Sequence, residues 1–224
     1  MRSFIQLILG IFLLIQAYFF VQVIWYSQYN PKNTAFMQAE KERLSSLSPP
    51  KGIRKQWVPY EKISSNVKRA VIASEDANFT THDGVDWDAL EKAAKENAAQ
   101  GKIKRGGSTI TMQLSKNLFL SAQQSYMRKA QEMMITGMLE LVLSKKRILE
   151  IYLNVAEWGV GVFGIEAAAR HYYGVSAAQL SPEQAAWLAS ILPAPRKFDQ
   201  MRNSPVAAQK ARIIAYRMRM VQIP

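Results

Sequence analysis

Cysteine is absent from the 224 residues, which excludes a disulfide framework, a thiolate zinc site, an iron–sulfur cluster and a cysteine nucleophile. Histidine is nearly absent: His82 and His171 are the only two, too few for a multi-histidine metal centre. Acid is scarce relative to base, with 17 Asp and Glu against 29 Lys and Arg, and the formal charge is +12. There is no internal repeat, and no run of alternating residues is long enough to predict a sheet. Apolar side chains, by contrast, are plentiful. At 49% hydrophobic and 21% charged, the chain is not a disordered one, and it can build a core for one ordinary domain plus an appendage. The positive excess fits nucleic acid, an anionic membrane or an acidic substrate.

The N-terminus narrows this choice. No charged side chain occurs from Ser3 to Pro31, and residues 4–26 are almost continuously apolar, interrupted only by the uncharged Gln6, Gln16 and Gln22. At about 1.5 Å per residue such a helix spans the ~30 Å hydrocarbon core of a bilayer. A cleaved signal peptide is the competing reading. The apolar run exceeds the usual length of a signal core, and no A-x-A-like site follows it, so a retained anchor is expected. Tyr18, Trp25, Tyr26 and Tyr29 gather toward its far end, as interfacial aromatics do. Arg2 on one side and Lys32, Lys41 and Arg43 on the other leave the orientation open on charge alone.

Residues 27–56 read as a juxtamembrane tether without sustained periodicity, and 57–224 as the domain proper. From Glu61 onward the pattern is helical, so the fold class is mainly α. Helices are expected to end near Glu75 and to cover Asp86–Gln100, Ser125–Leu143 and Ser144–Val155. Two more begin at Ser181-Pro182 and Ser204-Pro205, each with Ser as cap and Pro at the first helical position. Charge is unevenly spread. Residues 71–100 hold seven acids and two lysines, residues 101–150 nine bases and three acids, and residues 196–219 seven bases and one acid. The last of these reads as a solvated helix face.

Four local patterns stand out. Ser74-Glu75-Asp76-Ala77-Asn78-Phe79-Thr80-Thr81-His82-Asp83-Gly84 places two carboxylates at a helix end, followed by an irregular stretch. That is a setting for a general base whose pKa the helix dipole raises, and equally for ion pairs with nearby lysines. Lys102 to Asn117 carries bases, the Gly106-Gly107 pair and hydroxyl residues ahead of a helix, a setting for anions that lacks P-loop spacing. Arg128 and Glu132 lie four apart on one helix face, where a surface ion pair is the plain alternative. Lys146 to Asn154 reads mostly as scaffold, with Ile148, Ile151 and Tyr152 as its buried stripe.

In order, Glu-Asp-x-x-Phe-x-x-His-x-Gly, Gly-Gly-Ser-Thr-Ile-Thr-x-Gln, Arg-Lys-x-x-Glu and Lys-x-x-Ile-Leu-Glu-x-Tyr-Leu-Asn resemble the peptidoglycan glycosyltransferase family. That family comprises the transglycosylase domain of bifunctional penicillin-binding proteins and the monofunctional biosynthetic transglycosylases. The resemblance runs from about Trp57 to Gln200. It departs at Met112, where many members have a second Gln. It implies a lysozyme-like helical domain that polymerises lipid II and releases polyprenyl diphosphate by inverting, general-base catalysis. Glu75 is then the base and Glu132 the second essential glutamate, which orients the bases or helps hold a divalent ion, Mg2+ or Mn2+. Lys116, Arg128 and Lys129, with Ser108, Thr109 and Gln113, bind the substrate and its pyrophosphate. Asp76, Phe79 and His82 shape the site. No organic cofactor and no nucleic acid are implied. The partners implied are lipid II, the growing glycan, the membrane and other cell-wall synthesis or division proteins.

The resemblance also implies an orientation: residues 1–3 inside as a stub, 4–26 across the cytoplasmic membrane and the domain on its outer face. Ile103, Leu118, Phe119 and Tyr126 either dip into that bilayer or pack in the core. The Ser-x-x-Lys matches at Ser48–Lys51 and Ser65–Lys68 read as chance, since no transpeptidase domain follows. A lysozyme-like lytic enzyme and a non-catalytic basic membrane module are the competing classes.

Overall fold

A computed structural model describes residues 2–100, 107–121, 123 and 125–224. Eleven α-helices occur among these residues: α1 Arg2–Gln28, α2 Ala35–Ser45, α3 Ser65–Glu75, α4 Trp87–Gln100, α5 Ile110–Phe119, α6 Tyr126–Val142, α7 Lys145–Val155, α8 Ile165–Tyr173, α9 Pro182–Ile191, α10 Pro195–Gln200 and α11 Pro205–Arg217. Three short strands accompany them: β1 Arg54–Lys55, β2 Glu157–Gly159 and β3 Val162–Phe163. The mainly helical expectation is met. Local chemistry marks the helix starts. Ser64, Thr109, Ser125, Ser144, Ser181 and Ser204 each accept a first-turn amide with the side-chain oxygen. Asp86, expected inside α4, instead caps it, accepting from the Ala89 amide at 2.9 Å.

Helix α1 is long and apolar enough to cross a membrane, and most of its side chains are exposed. Its C-terminal half lies against the domain. The Phe19 and Tyr26 rings pack on Phe119 at 5.5 and 5.9 Å, and Gln16 and Gln131 exchange two amide hydrogen bonds of 3.0 Å. Arg147 closes the helix end, donating to the Tyr26 and Tyr29 carbonyls at 3.0 Å each. Of the apolar residues that offered a choice between bilayer and core, Leu118 is buried, Phe119 meets α1 and Tyr126 is 96% exposed. Ile103 lies outside the described residues, as do Lys102, Lys104, Arg105 and Gly106.

Two features differ from the sequence reading. Residues 27–56 contain α2, whose Met37 and Leu44 enter the core while its buried Glu40 binds Arg43 at 2.7 Å and Arg196 at 2.9 Å. Its apolar residues cluster at positions 35–39 with Leu44 alone beyond them, so they do not recur at helical spacing and show no periodic pattern. A small sheet of order β1-β3-β2 is also present, with β1 parallel and β2 antiparallel to β3. Its strands have two or three residues, below the length at which alternation is legible. The core joins two helical groups, α3 with α9 and α11, and α5 with α6 and α7. The acid-bearing end of α3 faces the start of α5 across the seam.

Candidate active site

Helix α3 buries Val67, Val71 and Ile72, which fixes where its last residue, Glu75, must emerge. Gln113 on α5 donates from Nε2 to Glu75 Oε2 at 3.1 Å, and the Ser74 hydroxyl lies 2.8 Å from Oε1. The other end of the Gln113 amide accepts from the Tyr152 hydroxyl at 2.9 Å. Tyr152 is fully buried, and burial followed by the nearby Glu75 and Asp76 charges raises its pKa well above the ordinary value. It therefore remains a donor. That settles which way the Gln113 amide faces, and so presents N–H to the carboxylate. Lys210 of α11 stands 4.0 Å from Glu75 Oε1. Glu75, Ser74, Gln113 and Lys210 line a cavity of about 570 Å3 together with Asp86, Ser108, Thr109 and Lys92.

Asp76 turns inward as the α3 cap and is buried. Its Oδ1 lies 2.8 Å from His82 Nε2, and its Oδ2 accepts the Ile110 amide at 2.9 Å, at the positive end of α5. The Gly84 amide donates to His82 Nδ1 at 3.1 Å, so the network assigns the proton to Nε2. Thr109, the α5 cap, donates to the Gly84 carbonyl at 2.5 Å. Gly84 has φ +91°, and a Cβ there would stand 2.8 Å from Thr136. Gly107 has a different reason to be glycine: a Cβ would meet the Leu90 side chain at 2.7 Å and its backbone at 3.0 Å. Phe79 is fully buried beneath His82, with Lys145 4.9 Å from its ring centre.

The second carboxylate holds the cations. Glu132 is 3% exposed and accepts from Arg128 Nη1 and Lys129 Nζ, one on each oxygen, both at 2.5 Å. The surface ion pair that the four-residue spacing allowed is thus a three-residue cluster around a buried carboxylate, with Lys129 partly solvated. Lys129 also reaches Ser108 at 3.5 Å. Lys116 lies on α5 facing this cluster. Burial pushes its amine below the ordinary lysine range; Arg128 and Lys129 add to that push, and Glu132 and Glu75 oppose it. Arg128 Nε is buried and has no hydrogen-bond partner among the described residues. Lys116, Arg128, Lys129 and Glu132 line a second cavity of about 620 Å3, and Ser108 and Gln113 line both.

The sequence-derived residues therefore fall into three joined groups: Glu75 with Gln113, Asp76 with His82, Phe79 and Thr109, and Glu132 with Arg128, Lys129, Lys116 and Ser108. Sequence reasoning missed Lys210 and Arg217, which reach the Glu75 cavity because α11 packs on α9 and α3. Their segment read as a solvated face, and only the packing of the helix turns part of it inward. It also treated Tyr152 as plain scaffold, although its hydroxyl orients Gln113. The described residues contain no group of three His, Asp or Glu able to hold a metal, and both Glu132 oxygens are already engaged.

The transglycosylase family model matches residues 40–219. A biosynthetic peptidoglycan transglycosylase of Herminiimonas arsenicoxydans is 55% identical, covering 95% of this chain and 92% of that protein. Proteins of the same name from Bordetella pertussis and Nitrosomonas eutropha are 54% and 53% identical, over 98% and 97% of this chain and 93% and 89% of theirs. Agreement over this much of the molecule takes in every element that builds the two cavities, and the chain belongs to the transglycosylase family.

Proposed function

We propose that this chain, a peptidoglycan glycosyltransferase of cell-wall synthesis, joins lipid II units into linear glycan at the two connected cavities. The observation that carries the reading is a carboxylate and a cation cluster in adjoining cavities that share Gln113 and Ser108. Glu75 takes the proton from the acceptor sugar hydroxyl, and the oxygen attacks the anomeric carbon of the donor from the face opposite its leaving group. The bond from that carbon to the pyrophosphate breaks, and the leaving group departs with the electron pair as polyprenyl diphosphate. Lys116, Arg128 and Lys129 meet the charge that develops on it. Glu132 holds Arg128 and Lys129 apart and aimed. Gln113 orients Glu75, and Asp76 and His82 lock the α3 end onto the α5 start. The helix α1 anchors the chain in the cytoplasmic membrane, with the domain outside.

Purified full-length protein incubated with lipid II is expected to produce glycan strands. Glu75→Gln should stay folded and lose about 10²–10⁴ in rate, the usual worth of a positioned base. Degradation of finished peptidoglycan without strand synthesis would show a lytic enzyme instead, and an unimpaired Glu75→Gln would remove the base assignment.

A further inference from the structure

A third cavity, of about 670 Å3, lies away from the catalytic pair, where the last turns of α1 meet the segment leading into β1. Trp25 and Tyr29 form one wall, their rings stacked at 4.0 Å and 19°, and Trp57 is part of another. Lys55 and Lys32 supply its charge, and no acidic side chain lines it. Lys55 Nζ donates to the Pro31 and Lys32 carbonyls at 2.6 and 3.0 Å, forms no ion pair among the described residues, and keeps a third N–H. Burial pushes its pKa down to about 8, so the cation is held here without the counter-charge that would stabilise it. Leu14, Tyr18 and Val21 are exposed on the face of α1 that leads to Trp25.

We propose that this cavity binds the headgroup of one anionic phospholipid, with the phosphate at Lys55 and Lys32. Aromatic side chains at the end of a spanning helix sit at headgroup depth. The absence of carboxylates leaves nothing for the ammonium of a zwitterionic headgroup to pair with, whereas an anionic headgroup supplies the charge that Lys55 lacks. The exposed face of α1 gives the acyl chains a path, which a free phosphate would not use. The proposal rests on α1 lying in the bilayer and is independent of the transferase chemistry.

The test is native mass spectrometry of the full chain in micelles containing equal phosphatidylglycerol and phosphatidylethanolamine. One phosphatidylglycerol adduct is expected to persist. A lysine near an anionic lipid surface is worth roughly 1 kcal/mol, so Lys55→Gln should lower adduct occupancy about fivefold. Lys32→Gln should lower it similarly, while Lys41→Gln, on the exposed face of α2, should leave it unchanged. If Lys55→Gln does not fold, Lys32→Gln decides. Equal retention of the two lipids, wild-type retention by the lysine variants, or displacement by millimolar inorganic phosphate overturns the site. An alkaline carbonate wash separates the two failures: protein released from membranes would refute the anchor, whereas retained protein without an adduct refutes only the lipid site.

Discussion

Replacing Lys116 by methionine should make this enzyme more stable and far less active. The amine is half-buried on α5, and its proton is disfavoured first by lost hydration and then by Arg128 and Lys129 nearby, with Glu132 opposing them. Because the folded-state pKa is depressed, the folded chain binds this proton less readily than the unfolded one. At neutral pH the charged amine therefore opposes folding, and that opposition fades as pH rises through the folded pKa toward the ordinary lysine value. Methionine keeps the length and apolar stem while removing the charge. Glu132 retains both of its other cations, so no carboxylate is left unpaired. A gain of about 1 kcal/mol is expected, a rise of about 2–4 °C in melting temperature for a chain of this size. Losing one preorganised cation from the developing pyrophosphate charge should lower kcat by about 10²–10³. Calorimetry in detergent and a lipid II polymerisation assay measure the two effects on one preparation. A lower melting temperature, or activity within threefold of wild type, would refute the idea that Lys116 is held at a cost to stability for the sake of catalysis.

Other perturbations probe the remaining parts. Tyr152→Phe removes only the hydroxyl that orients Gln113, so kcat should fall by about fivefold to tenfold, the worth of ~1 kcal/mol, with KM nearly unchanged; an unchanged kcat would break the Tyr152–Gln113–Glu75 chain. Glu132→Gln leaves Arg128 and Lys129 close together without their carboxylate and should destabilise the fold by about 3 kcal/mol or less, since Lys129 is partly solvated. Chemical denaturation would show this, and a neutral result would mean the cluster is not coupled. Gly84→Ala must place a side chain at φ +91° against Thr136 and should cost about 1–3 kcal/mol, read from the same denaturation curves. Raising pH should weaken donor binding before ordinary lysines titrate, because the depressed Lys116 loses its proton first; titration of donor KM against pH checks the direction.

Much of the molecule is legible in its residues because the signals are local. An uncharged run from Ser3 to Pro31 announces the long apolar helix, and serine caps with proline after them mark α9 and α11. The ordered motifs around Glu75, Ser108, Arg128 and Glu132 carry the family, and composition alone excludes cysteine chemistry. Other facts are invisible because they depend on which elements meet. The acidic stretch 71–100 and the basic stretch 101–150 do not simply face each other. Asp76 is spent on His82 and the α5 amide, and Glu132 on two cations, so of these three carboxylates Glu75 is the one held by neutral donors, with Lys210 4.0 Å away. Helix α2 reads as tether because its apolar side chains do not recur at helical spacing, yet it docks. Lys210 and Arg217 looked like solvated charge, and the packing of α11 on α3 and α9 brings them to the carboxylate. Residue type and spacing determine which chemistry the chain contains. Whether a given charge is desolvated, paired or free to act is set by neighbours distant in sequence, since burial and Coulomb energy depend on separation in space.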